Sequence, residues 1–124
     1  MRGRFQTVLL CASLCALAAC VEDHGYRPQA PRGDPDRGKT ALNEHECNVC
    51  HVIPGVSGAP GYVGPPLTAY SRNVYVAGKF PNTPDILVQW IRDAPSLAPG
   101  TAMPAFEMTE AQAHDIAAYL YSLR

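Results

Sequence analysis

The chain has 124 residues, room for one domain and no more. Its 10 basic and 11 acidic residues give a formal net charge of −1, so no cationic field speaks for nucleic acid. Apolar residues make up 47%, an ordinary globular share, and a chain this short builds only a modest core, one that gains from an apolar prosthetic group to fold around.

The first residues read as a targeting segment. Arg2 and Arg4 form a positive start, and Val8 to Ala19 is an uncharged apolar run. About a dozen residues fall short of the ~20 that a spanning helix needs, so the run reads as a secretory signal, with an uncleaved membrane anchor as the alternative. Leu17-Ala18-Ala19-Cys20 resembles the lipobox of bacterial lipoproteins. That resemblance implies cleavage before Cys20 and lipid on its sulfur; the alternative is an ordinary small-residue cleavage site. Cleavage removes two Arg and no acid, moving the formal charge from −1 to −3.

Residues 1–19 are thus expected to be a signal peptide, and 20–34 a lipidated Cys with a tether. The segment from Val21 to about Asp34 is polar and broken by Pro28, Pro31 and Gly33. Fully extended it reaches roughly 40 Å. The domain proper is expected over 35–124.

Within the domain, Asp36 is placed to cap a helix running from Arg37 towards Cys47, with Ala41 and Leu42 on its apolar face. After His51 the prolines and glycines between Pro54 and Pro66 forbid long regular structure. Few large apolar side chains occur there, so something else must fill the space beside the loop. A second helix is announced by Thr83 as cap, Pro84 at the first position and Asp85 near the positive end of the dipole. Ile86, Leu87, Trp90 and Ile91 share its apolar face, and it is expected to end before Pro95. A last helix starts at Thr109, with Gln112 as capping-box partner and Ala113, Ile116, Ala117 and Leu120 as its apolar stripe. No strand signal is convincing.

The chemistry centres on Cys47-Asn48-Val49-Cys50-His51. This is the C-x-x-C-H pattern of covalent haem c attachment. Two cysteines three positions apart reach two vinyl groups of one porphyrin, and the next residue turns its imidazole to the iron. A zinc pair wants more ligands than one Cys pair supplies, and a thioredoxin-like pair wants a βαβ pattern. Cys11 and Cys15 fall in the signal and Cys20 takes lipid, so no thiol remains for a structural disulfide. The second axial ligand is sought among Met103, Met108 and His114. Met103 leads, because the prolines of Pro99-Gly100-Thr101-Ala102-Met103-Pro104 stiffen the loop that presents it. Met108 is read as packing at the last helix and His114 as a surface histidine. A His/Met pair closes both axial positions and raises the potential.

From about Asp36 to Arg124 the chain resembles class I cytochromes c, most of all the small bacterial kind that serve respiratory oxidases and periplasmic dehydrogenases. The resemblance rests on CNVCH, Gly64-Pro65-Pro66-Leu67, Tyr75-Val76-Ala77-Gly78 with Pro81-Asn82, Trp90-Ile91, PGTAMP and Asp115-Ile116-Ala117-Ala118-Tyr119-Leu120. It implies an all-α cytochrome c fold, three main helices and long loops wrapped around one haem. It implies an electron carrier, not an enzyme, with His51 and Met103 on the iron. By resemblance the Pro65 carbonyl accepts a hydrogen bond from His51, Trp90 packs near the haem on the Met side, and Arg72, Tyr75 and Asn82 are partners for the propionates. Gly38 and Tyr119 match the crossing of the terminal helices. The expected setting is the periplasmic side of a bacterial membrane, with an oxidase, a quinol-oxidising complex or a dehydrogenase as redox partner and the protein itself a monomer. Alternatives are a dedicated subunit of one complex and a ligand-binding or peroxidase-like haem. Many relatives ring the haem edge with lysines, whereas this domain has only Lys39 and Lys79. Partners are therefore expected to meet an apolar patch, or tethering replaces electrostatic steering.

Overall fold

The computed structural model describes residues 32–58 and 61–124; the expected signal, Cys20 and most of the tether lie outside the described residues. Three α-helices carry the domain: α1 Pro35–Glu44, α2 Pro84–Leu97 and α3 Glu110–Ser122. Single 3-10 turns at Cys47–Val49 and Tyr70–Arg72 and a two-residue hairpin, β1 Tyr75–Val76 with β2 Phe80–Pro81, complete the regular structure of the described residues.

Helix α1 starts two residues before its expected start. Its cap is Asp34, not Asp36: the Asp34 carboxylate accepts from the backbone N–H of Asp36 at 2.9 Å and of Arg37 at 3.1 Å. Pro35 explains the difference. Its fixed φ and missing N–H suit the first helical position, which leaves the preceding residue as cap. Thr83 and Thr109 cap α2 and α3 as expected, the latter with Gln112 in a full capping box.

Regular α2 breaks at Asp93 (φ −149°, ψ 72°), two residues ahead of Pro95, and resumes for one turn as far as Leu97. A proline ring inside a helix collides with the carbonyl four residues back, so the chain steps out before it. Asp93 then caps the final turn through Ser96 N–H at 3.2 Å. The expected stop before Pro95 is this break, and the extra turn is the part the sequence reading left out.

The hairpin was not expected. Its register pairs Tyr75 with Pro81 and Val76 with Phe80, and its tip puts Ala77 and Gly78 at positive φ (51° and 67°). Two residues per strand give too short a period-2 pattern to recognise.

Helix α1 crosses α3 at Gly38. A Cβ there would run into the Asp115 carbonyl, so only glycine admits this approach. The buried core lies on both sides of the crossing: Ala41 and Leu42 from α1, Leu87, Val88 and Ile91 from α2, and Ala113, Ile116, Ala117 and Leu120 from α3, with Ile53, Tyr70 and Val76 from the connections.

Candidate functional site

Helix α1 delivers the chain into the attachment motif. Glu46 adopts a left-handed conformation (φ 51°), and Cys47–Val49 then form a 3-10 turn. Both thiols are free and half-buried. Burial pushes the Cys47 thiol up to about 11.

His51 follows at once. Its Nδ1 lies 2.7 Å from the Pro65 carbonyl oxygen. That oxygen can only accept, so Nδ1 carries the proton and Nε2 is left with a free lone pair. The partner expected from the resemblance is in place. Gly64 closes on the same ring, since a Cβ there would strike the imidazole. Backbone bonds brace the loop around it: Gly64 N–H to Cys50 O at 2.8 Å, Gly61 N–H to Asn48 O at 3.0 Å, and Leu67 N–H to Val52 O at 2.9 Å. From α3, the Tyr119 hydroxyl donates to Pro54 O at 2.7 Å. Tyr119 therefore holds the loop after His51, one turn beyond the crossing itself.

Met103 is half-buried in its proline-flanked loop. Thr101 Oγ1 accepts from the Met103 N–H at 3.3 Å. The loop is tied back to the break in α2, where Phe106 N–H donates to Arg92 O at 2.9 Å and Asp93 bridges Ala105. His45 sets its ring edge-on to Phe106 at 6.3 Å, so the attachment turn and the segment after Met103 are packed together. Met108 instead packs on the hydrophobic core, and His114 stands on α3, 3.7 Å from Glu110.

The candidates for the propionates gather on one segment. Arg72 and Tyr75 are exposed there. Asn82 is fully buried: its Nδ2 donates to Asn73 O at 2.8 Å, and its Oδ1 accepts from the Tyr121 hydroxyl at 2.8 Å and from that of Tyr70 at 3.4 Å. Its amide fastens the hairpin base to α3. Trp90, half-buried on α2, leans on Phe80 with ring centroids 6.0 Å apart.

The donor set fits a covalently bound haem: two free thiols, an imidazole whose tautomer leaves Nε2 open, and a thioether on a braced loop. Comparison with known proteins agrees. The Cytochrome c family model matches residues 35–124.

The chain belongs to the cytochrome c family.

Its cofactor is covalent haem c, and as a cytochrome c domain it is an electron carrier rather than an enzyme. The chain is 25% identical to cytochrome c2 of Rhodobacter sphaeroides, with a TM-score of 0.53 over 74% of this chain and 97% of that one. SoxXA of P. pantotrophus shares the fold, at 23% identity and a TM-score of 0.54 over 73% of this chain and 81% of that one. Cytochrome c oxidase subunit 2 of Alkalihalophilus pseudofirmus is 34% identical over 90 residues, 72% of this chain; the match spans a quarter of that relative's length.

A cluster that the sequence reading missed ties this cytochrome c domain together at its start. Arg37 Nε and Nη2 grip the buried Asp115 carboxylate at 2.8 and 2.9 Å, and the Asp34 N–H donates to it at 2.7 Å. The Arg37 hydrogen bond, first among the causes, holds the Asp115 carboxyl below the usual aspartate range. An acid inside the apolar stripe of the last helix, four residues before Tyr119, was the available signal.

Proposed function

We propose that Cys47 and Cys50 hold haem c by two thioether bonds, that His51 Nε2 is one axial ligand and that Met103 is the other. The observation that carries this is the His51–Pro65 contact, which leaves Nε2 as the open nitrogen of the ring that follows Cys47 and Cys50 in the chain. Met103 is favoured over Met108 and His114 because those two have other company, the core and Glu110. When bound, the haem iron supplies a one-electron ferric/ferrous couple. The residues supply ligation, orientation and a closed sixth position; Pro65 fixes the imidazole and makes it a better donor.

Upstream, residues 1–19 direct export and Cys20 carries the lipid that holds the domain at the periplasmic face of a membrane. The tether over 20–34 then limits the domain to redox partners near that surface. The relative in Alkalihalophilus is an oxidase subunit that contains a domain of this kind. This favours a respiratory oxidase as acceptor, and it also supports a second reading, a dedicated haem subunit of one such complex.

Absorption spectra of protein matured with haem in a periplasm test the site. Oxidised protein should show the band of a Met–iron bond, and reduced protein should be indifferent to carbon monoxide. A rapid carbon monoxide shift overturns Met103 as ligand and the carrier role with it. Co-purification with an oxidase through detergent extraction separates the subunit from the mobile carrier.

A further inference from the structure

A groove of about 670 Å³ lies between α2, α3 and the segment that follows Met103. None of Cys47, Cys50, His51 and Met103 lines it, so it is separate from the proposed haem site. Val88 and Phe106 give it an apolar lining, and with them stand three exposed carboxylates, Asp85, Asp93 and Glu110, against one guanidinium, Arg92. Arg92 faces Glu110 at 3.8 Å. His114 lines the groove from α3, and its Nδ1 is buried without a hydrogen-bond partner among the described residues. A buried nitrogen left unpaired costs free energy, and an occupant that reached it would recover that cost.

The chain itself arrives at His114. Gly33 lies so close that a Cβ on it would strike the His114 carbonyl. Just ahead of it run Tyr26-Arg27-Pro28-Gln29-Ala30-Pro31-Arg32, with two Arg and no acid. Residues 26–31 lie outside the described residues, and what they would bring is read from their sequence. Two prolines in six residues favour the polyproline conformation, which enters aromatic-lined grooves preformed and so at low entropic cost. At about 3.1 Å per residue, the six reach roughly 19 Å from Arg32. Their charge is opposite to the excess charge of the groove.

We propose that residues 26–31 fold back into this groove, with Tyr26 against Val88 and Phe106 and Arg27 among Asp85, Asp93 and Glu110. The occupant is thus a segment of the same chain. Its covalent attachment at Arg32 gives it a high effective concentration, so weak, solvent-screened ion pairs suffice to hold it. Glu22 and Asp23, of the opposite sign, stay outside. One consequence rests on the reading of Cys20 as the lipid anchor. Only residues 20–25 then remain as a leash, about 20 Å when extended, and the domain is held at the membrane by its α2/α3 side.

The test uses the mature holoprotein, reduced, isotope-labelled and held in detergent, and reads it by NMR. Proton contacts should join the Tyr26 ring to the Val88 and Phe106 side chains. Exchange of the Ala30 and Arg32 amides should be about ten-fold slower than in Arg27→Glu. That variant should abolish the contacts and shift the signals of Asp85, Asp93 and Glu110 while leaving the haem spectrum unchanged. Arg27 precedes the helical domain, so the substitution leaves its core and caps intact. Absence of the contacts in the wild type overturns the proposal, as do groove signals that ignore Arg27→Glu. Contacts that weaken on dilution also overturn it, since they would give the groove to the tether of a second copy. So do groove signals that move only when membranes of the source organism are added, which would give it to a membrane component. The mass of the mature protein reads the lipid separately. Its absence overturns the leash and leaves the groove contact standing, whereas lipid without the contacts overturns the groove proposal alone.

Discussion

The α1/α3 crossing and the attachment loop are held in opposite ways. At the crossing, protein closes on protein: Gly38 lies against the Asp115 backbone, and Ala41, Leu42, Ala113, Ile116 and Ala117 are buried around it. Among the described residues from Cys47 to Leu67, only Ile53 is buried. That loop is kept in shape by backbone hydrogen bonds, by the Tyr119 hydroxyl and by the His51–Pro65 contact. The crossing carries its own apolar core, whereas the loop is a frame that would close on the haem. Stability of the first comes from side-chain packing, and stability of the second depends on the cofactor.

Breaking the frame should therefore have the largest effect. His51→Ala removes the imidazole that braces the loop and is proposed to meet the iron, and no stable six-coordinate holoprotein should accumulate, as read by the spectrum of the periplasmic fraction. Breaking the crossing should cost less and leave the spectrum alone. Gly38→Ala forces α1 away from the Asp115 carbonyl at about 1–3 kcal/mol, with a fall in Tm and an unchanged Met–iron band. Loss of that band would show that crossing and frame are not separable.

A smaller effect sharpens the crossing by pH. Asp115 titrates below its ordinary value of about 3.9, so the stability it contributes is present above pH ~4 and is lost as the pH falls below that through its folded value. Asp115→Asn should be less stable than wild type at pH 6, and the two melting curves should converge towards pH 3. Parallel curves would show that the carboxylate's charge is not what matters. The smallest effect lies in the hairpin tip, remote from both regions. Ala77→Gly relieves a left-handed alanine and should stabilise by a few tenths of a kcal/mol, while Gly78→Ala, in open space but at positive φ, should cost about 1 kcal/mol.

Much of this was legible because the cues were local. CNVCH names its chemistry by spacing, and Thr83-Pro84-Asp85 and Thr109 with Gln112 announce helix starts within four residues. Misreadings arose where two local cues competed. Asp34 and Asp36 both flank Pro35, and only the rule that proline takes the first position decides between them. Asn82 shows a different limit of local cues. Its role depends on Tyr70 and Tyr121, 12 and 39 residues away, and no spacing rule reaches so far. Arg37 and Asp115 are likewise 78 residues apart, and what joins them is the crossing made possible by Gly38. Pro65 was found at a separation of 14 residues because family resemblance, not periodicity, supplied the pairing.

The Arg37–Asp115–Asp34 cluster also has a mechanical consequence. The described chain enters at Arg32, with Gly33 pressed against the His114 carbonyl and the Asp34 N–H bonded to Asp115. Force arriving along the leader is taken up there, by an ionic rivet between the first and last helices, before it reaches the turn that holds the thiols. A pull along that segment would thus load the joint between the two helices before it reached Cys47, so strain entering at the start of the domain stops short of the attachment turn.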